Sequence, residues 1–296
     1  MPTHPASTPL ELSPIVAGLW RLTEWNLDVP ARVRWIEQAL ELGINTFDHA
    51  DIYGDYRAEA LFGEALRAAP ALRSRMQLVT KCGIRLRSTE RPYRVNHYDT
   101  SASYVRAQVE QSLRNLHAKQ LDLVLIHRPD YLMDADTLAQ TFAALSQEGK
   151  VAHWGVSNHS TGQFALLHQQ HPLITHQIEL SVMMMDALDD GTLDQAQQLG
   201  LRPMIWSPLG GGRLFRDDDA QAVRVREAMQ PIATRLDISL ATLAYAWILR
   251  HPSRPHPITG SGRIEGLREA VAALDVRLGA EDWYAIWVAS KGHGVP

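Results

Sequence analysis

The chain of 296 residues contains a single cysteine, Cys82. One thiol closes no intrachain disulfide, so the fold must rest on its core, as expected in a reducing compartment. An excess of one charge is also missing. Lys and Arg number 29 against 33 Asp and Glu, a formal balance of −4, which gives no electrostatic footing for nucleic acid or an anionic membrane. No run approaches the roughly 18 consecutive apolar residues of a membrane-spanning helix. The opening "MPTHPASTPL" lacks the basic and apolar regions of a secretory signal, so a cytoplasmic location is expected. Low-complexity tracts and Pro/Gly/Ser linkers are absent too, and one domain over residues 1–296 is the expectation. Nothing in the pattern specifies an oligomer.

What is present is alternation. Short apolar runs near Ile15–Leu19, Ile44–Phe47, Met76–Thr80, Leu121–Ile126, Val151–Val156, Ile174–Ile178, Pro203–Trp206 and His256–Ile258 alternate with amphipathic stretches. The stretches cover Pro30–Leu42, Ala58–Ala68, Ser103–Leu116, Asp136–Gln147, Gly162–Gln170, Thr192–Leu199, Gln221–Leu236 and Leu240–Leu249. Eight strand-like runs with helices between them predict an α/β fold, a (β/α)8 TIM barrel. Two further helices, Arg263–Leu274 and Ala280–Ser290, are expected to pack outside it. Two long loops remain, Gly83–Ser101 and Ser207–Asp219. Of the 13 histidines, His153, His159, His168 and His171 fall in loop or helix-face contexts that suggest solvated or structural roles.

The second to seventh runs each end on something polar. Asp48, Lys81, His127, Ser157-Asn158, Gln177 to Glu179 and Trp206-Ser207 stand at successive tips, and "FDHADIYGDY" adds Tyr53 in a Gly-containing loop. In a parallel barrel all those tips surround one mouth. Taken singly, Asp48 reads as a turn residue, Lys81 as a snorkelling side chain and His127 as a satisfied core histidine. Together they fit carbonyl reduction. Hydride addition builds charge on oxygen, which calls for a proton donor. A Tyr hydroxyl holds its proton at neutral pH, and a nearby ammonium makes it a better acid. A buried Lys needs a carboxylate partner to stay charged, and a His can orient the carbonyl.

The segments "GINTFDHADIYGDYRAEALFGEAL", "LVTKCG", "LDLVLIHRPD", "GKVAHWGVSNHS", "QIELS" and "WSPLGGGRLF", in that order, resemble the aldo-keto reductase superfamily, most of all a bacterial subgroup of NADP-dependent oxidoreductases. The resemblance runs from about Gly18 to Ala273. It implies a catalytic tetrad at Asp48, Tyr53, Lys81 and His127, and NADP(H) as cofactor. Nicotinamide contacts would fall on Ser157, Asn158 and Gln177, with Trp206 as the stacking ring where Tyr is commoner. The pyrophosphate would lie under Ser207, Leu209, Gly211 and Arg213. In "PITGSGRIEGLREA", Gly260, Ser261 and Arg263 would clamp the adenosine phosphate at a helix N-terminus, and Glu269 would reach the adenine edge. Gly266 and Ala270 depart from the residues common in relatives, which weakens the case for NADP over NAD. The GxG of this segment is no Rossmann fingerprint, because too little chain follows it for further βαβ units.

Two rivals carry weight. A metal-dependent hydrolase on the same barrel would draw on Asp48, His49 and Asp51, with Lys81 opposing a cation. A non-catalytic, cofactor-sensing barrel is the other. The substrate would be a small-molecule carbonyl compound. Candidate pocket walls are Trp20, Trp25, Tyr56, Arg128 and Met183–Met185. For Arg128, a rim salt bridge to Asp130 or Asp134 is expected slightly ahead of a place in the pocket.

Overall fold

The structure, a computed structural model, describes residues 10–88 and 91–295. Most of the opening decapeptide and two positions of the first long loop lie outside the described residues. In chain order the elements are β1 Val16–Gly18, α1 Val29–Glu41, β2 Thr46–Asp48, α2 Tyr53–Tyr56, α3 Ala58–Ala68, β3 Gln77–Cys82, β4 Ile84–Arg85 and β5 His97–Tyr98. There follow α4 Ala102–Asn115, β6 Leu121–Ile126, α5 Ala135–Gln147, β7 Val151–Ser157, α6 Thr161–Gln170, β8 His176–Glu179 and α7 Thr192–Gln198. The chain continues through β9 Met204–Trp206, α8 Ala220–Leu236, α9 Leu240–Leu249, β10 His256–Thr259, α10 Ile264–Ala272 and α11 Ala280–Lys291. Eight strands close a barrel in the order β1-β10-β9-β8-β7-β6-β3-β2, and every pairing round it is parallel. This is the TIM barrel anticipated from the alternation.

Local chemistry starts the helices where the pattern indicated. Asp28, Ser101, Asp134, Ser160, Asp219 and Ser239 each accept a backbone N–H from the first turn of the helix that follows, satisfying donors with no partner inside the helix. Ser160 and Gln163 complete a reciprocal capping box.

Strand parity then positions the site. Successive side chains on a strand point to opposite faces, so residues two apart share the barrel interior. Leu12, Val16, Val79, Leu123, Leu125, Met204 and Ile258 form one buried apolar cluster. Two residues further along their strands come Gly18, Lys81, His127, Trp206 and Gly260. The interior is thus an apolar plug with a polar layer above it, at the C-terminal ends of the strands. The larger clusters lie between strands and helices and hold Phe47, Phe62, Phe142 and Trp154 on one side and Trp247 and Met229 on the other.

Three expectations need correction. The Gly83–Ser101 segment is not simply loop: β4 and β5 pair as an antiparallel hairpin. Arg85 holds it down, reaching Asp99 at 2.6 Å and lying 4.2 Å over the Tyr104 ring. Ser207–Asp219 likewise holds two short turns within Gly210–Phe215, joined by a kink at Gly211 and Gly212. His153 lies buried within β7 rather than in a loop or on a helix face, whereas His159 is in a loop as expected and buried there with Nδ1 3.0 Å from the Ser157 carbonyl. Among the described residues no single helix is long and apolar enough to cross a membrane.

Candidate active site

A cavity of about 980 Å3 opens at the C-terminal end of the barrel. Asp48 and Tyr53 stand at its floor with His127, and Lys81 is buried directly behind them. All three Lys81 ammonium contacts are short: 2.7 Å to Asp48 Oδ2, 2.7 Å to the His49 carbonyl and 3.0 Å to the Tyr53 hydroxyl. An ammonium has three protons to donate, so the lysine is fully engaged. The Tyr53 oxygen therefore accepts from Lys81, and its own proton is free to face the cavity. The second Asp48 oxygen accepts from Gln177 Nε2 at 2.9 Å.

Backbone shape brings Tyr53 to this point. After it, Gly54, Asp55 and Tyr56 all take left-handed φ, at 58°, 55° and 64°. The turn bends the chain sharply within α2, so that α3 runs back outside the barrel while Tyr53 stays inside. Gly54 suits this on two counts. Only glycine adopts such φ without cost, and a Cβ there would stand 2.3 Å from the Thr23 methyl.

Electrostatics sort the ionisable groups. Burial pushes the Tyr53 phenol above its usual value, and the Lys81 ammonium pulls the other way. Lys81 would be driven toward neutrality by burial, but Asp48 and Tyr53 outweigh it and hold the ammonium charged. His127 lies well below the ordinary histidine value because of its burial and the Lys81 and Arg128 charges. Its ring sits edge-on to Tyr53 at 5.9 Å. His127 Nδ1 is buried with no hydrogen-bond partner. A buried lone pair is tolerated better than an orphaned N–H, which assigns the proton of the neutral ring to Nε2.

The sides of the cavity form a second chain. Trp206 Nε1 donates to Asn158 Oδ1 at 2.9 Å, and Asn158 Nδ2 donates to Ser157 Oγ at 2.7 Å. Asn158 and Ser207, each just past a strand end, have positive φ of 57° and 51°, the kind of local strain that gathers at working sites. Beyond them Gly211 and Gly212 are left-handed at φ 65° and 97°, and Arg21 Nη2 reaches the Gly211 carbonyl at 3.2 Å. Leu209, Ser207, Gly260, Ser261, Arg263 and Glu269 line the same cavity. Ser261 Oγ accepts the Arg263 backbone N–H at 3.1 Å. Gly266 leaves room for that turn, since a Cβ there would meet Ser261 Oγ at 2.4 Å.

Four sets of side chains named from the sequence are not brought to the cavity. Trp25 packs on Trp35 at 4.9 Å and against Gly262. Tyr56 accepts the Leu86 N–H at 3.0 Å, with the Arg91 guanidinium 3.4 Å over its ring. Met183 and Met185 are buried in the outer core. Arg213 turns to Asp219 at 2.9 Å and to Gln221 at 3.2 Å. Trp20 and Arg128 do line it. Arg21, Ile84, Leu86, Phe215, Ser239 and Tyr245 also line it and were not named. Ile84 and Leu86 come from the hairpin, while Ser239 and Tyr245 follow no strand, so reading strand tips had no means of reaching them.

The possible metal ligands do not converge. Asp48 is taken up by Lys81 and Gln177, and His49 lies against Phe62 at 4.5 Å. Among the described residues no group of three or more His, Cys, Asp or Glu is placed to hold a metal ion.

Residues 14–289 match the Aldo/keto reductase family. Oxidoreductase YdhF of Escherichia coli is 50% identical, with 97% of this chain and 96% of that protein aligned. A 6-dehydroglucose reductase of Agrobacterium fabrum is 41% identical, with 98% of each chain aligned. The solved glycerol dehydrogenase of Gluconobacter oxydans superposes with a TM-score of 0.83 over 97% of this chain and 94% of its own, at 24% identity. That last likeness speaks for the barrel alone.

Proposed function

Because the chain belongs to the aldo/keto reductase family, we propose that it reduces an aldehyde or ketone to an alcohol with NADPH, Tyr53 serving as general acid. The observation that carries this reading is the Asp48–Lys81–Tyr53 chain, which ends on a phenol whose proton is uncommitted. The fit for the cofactor rests on the cavity. Gly260 and Gly212 meet nothing within 4 Å of a would-be Cβ, and Arg263 has no carboxylate partner among the described residues. Ser157, Asn158, Gln177 and Trp206 would hold the nicotinamide. The glycine-lined turn would lie under the pyrophosphate, and Ser261, Arg263 and Glu269 would hold the adenosine end. When bound, the cofactor supplies a hydride to the carbonyl carbon.

The side chains do the rest. His127 Nε2–H orients the carbonyl oxygen. Tyr53 gives its proton to that oxygen as negative charge develops, and Lys81 stabilises the phenolate left behind. Asp48 keeps Lys81 charged within the apolar floor. The 6-dehydroglucose reductase at 41% identity makes that sugar aldehyde one of the first substrates to test. A screen of aldehydes and ketones by NADPH absorbance tests the proposal: multiple turnover supports it, whereas cofactor binding with no turnover on any carbonyl favours the sensor.

Two expected results follow here. Arg263→Ala weakens NADPH selectively, because a guanidinium gives charge-assisted contacts to a 2′-phosphate. Fluorescence titration with both cofactors checks this, and an equal loss for NADH assigns Arg263 to the fold. The second concerns pH. His127 stays neutral well below the ordinary histidine range, and burial holds the Tyr53 phenol above its ordinary value. Reductive kcat/KM is therefore level between about pH 6 and 9, with no inflection near 6.5. A fall in rate with an apparent pKa in that interval overturns the assignment of proton positions.

A further inference from the structure

Arg128 lines the reactive end of the cavity and has no part in the proposed chemistry. Strand parity would send the residue after His127 to the outer layer. The chain leaves the sheet at Ile126 instead, and Pro129 keeps the backbone of Arg128 out of a helix. The half-buried side chain consequently lines the cavity beside Tyr53 and His127. Its guanidinium carbon lies 5.6 Å from the centre of the Trp206 ring, over an aromatic surface.

Of the acids near it, Asp130 and Asp134 are engaged elsewhere, and Glu179, at the end of β8, feels its charge without forming a salt bridge. Asp130 accepts from the Thr100 N–H and hydroxyl, at 3.1 and 2.9 Å, and from the Leu132 N–H at 2.9 Å. Asp134 caps α5 through the Thr137 N–H at 2.7 Å. Among the described residues no salt bridge forms to Arg128, which reverses the expected rim pairing. Its charge is felt inside instead, where it lowers the proton affinity of both Tyr53 and His127.

A cation with no salt-bridge partner among the described residues makes a poor wall for an apolar ligand. Covering it with hydrocarbon removes its water and returns nothing. A ligand carrying acceptor oxygens restores those hydrogen bonds, and the planar fork of Arg suits two at once. We propose that Arg128 sets specificity for carbonyl substrates that carry acceptor oxygens, hydroxyl or carboxylate, close to the reacting C=O. This rests on the reductase reading above and goes beyond it by naming the substrate class.

The test uses the full chain with NADPH and two matched pairs, glyceraldehyde against propanal and 4-carboxybenzaldehyde against benzaldehyde. The quantity read is the ratio of kcat/KM, oxygenated over plain, in wild type, Arg128→Met and Arg128→Lys. In Arg128→Met at least one ratio is expected to fall about 10- to 100-fold, as befits a lost hydrogen bond to a charged group, and mainly through KM. Arg128→Lys, which keeps the charge and loses the fork, falls between. A fall in the glyceraldehyde ratio alone identifies hydroxyls as the recognised oxygens, and a fall in the other pair alone identifies an anion. Ratios unchanged in both pairs overturn the inference while leaving the reductase reading standing. No turnover of these four, or of any other aldehyde or ketone, by wild type overturns both. NADPH titration of each variant by fluorescence confirms that the compared proteins are folded.

Discussion

Replacing Lys81 with Met is expected to remove reductase activity and to destabilise the fold together. The ammonium is fully buried and makes three contacts of 3.0 Å or less. Methionine matches its length but donates nothing. Asp48, only 2% exposed, would then keep Gln177 as its one polar partner. Stranding one member of a buried pair typically costs about 3–5 kcal/mol. For a chain of this size that corresponds to a fall in Tm on the order of 10 °C. The double variant Asp48→Asn/Lys81→Met separates the two effects. It should recover much of the lost stability, because no charge is left alone, and none of the activity. Thermal unfolding of wild type and the two variants beside NADPH turnover measures both. A Lys81→Met protein as active and as stable as wild type would show that the pair has neither role.

Tyr53→Phe is expected to act on rate alone. The ring stays, so the edge-on contact with His127 and the packing against the core persist. The proton donor goes. General acid catalysis contributes about 10²–10⁴-fold, and kcat should fall by that order while cofactor affinity holds. Lys81 loses only its third acceptor and keeps Asp48 and the His49 carbonyl, so stability should change far less than in Lys81→Met. That contrast between two neighbours 3.0 Å apart is what a proton-donating pair requires; two merely structural residues would instead lose stability in parallel. Full activity in Tyr53→Phe would transfer the donor role elsewhere.

The site was legible to the extent that it obeys strand parity. Asp48, Ser157 and Trp206 close their strands, Lys81 and His127 lie within one residue of an end, and Gln177 lies within β8; a parallel barrel must bring such ends together whatever the loops do. Where the chain leaves the sheet, that logic stops. The left-handed turn at Gly54 to Tyr56 points Tyr56 outward to the Leu86 amide, although Tyr53, three residues earlier, points in. Trp25 and Trp20 are equally aromatic in the sequence. The first packs on Trp35 while the second stays 57% exposed at the cavity rim. Arg213 lies in the glycine segment that the resemblance singled out, but Asp219, six residues on, draws it away. In each case the outcome was decided by which partner lay within reach after folding, and spacing along the chain carries little of that information. The same holds for Arg128, since Asp130 and Asp134 are already engaged by the backbone of their own loops.

The central claim is direct hydride delivery to a carbonyl carbon beside the Tyr53 hydroxyl. Its most direct measurement is isotopic. Incubating the protein with an aldehyde that turns over and NADPH deuterated at the transferable position, in ordinary water, should give an alcohol with one deuterium on the carbinol carbon for each cofactor oxidised. Running the unlabelled cofactor in D2O should leave that carbon free of deuterium. Carbon-bound deuterium originating from the solvent, or cofactor oxidation with no matching alcohol, would contradict the account.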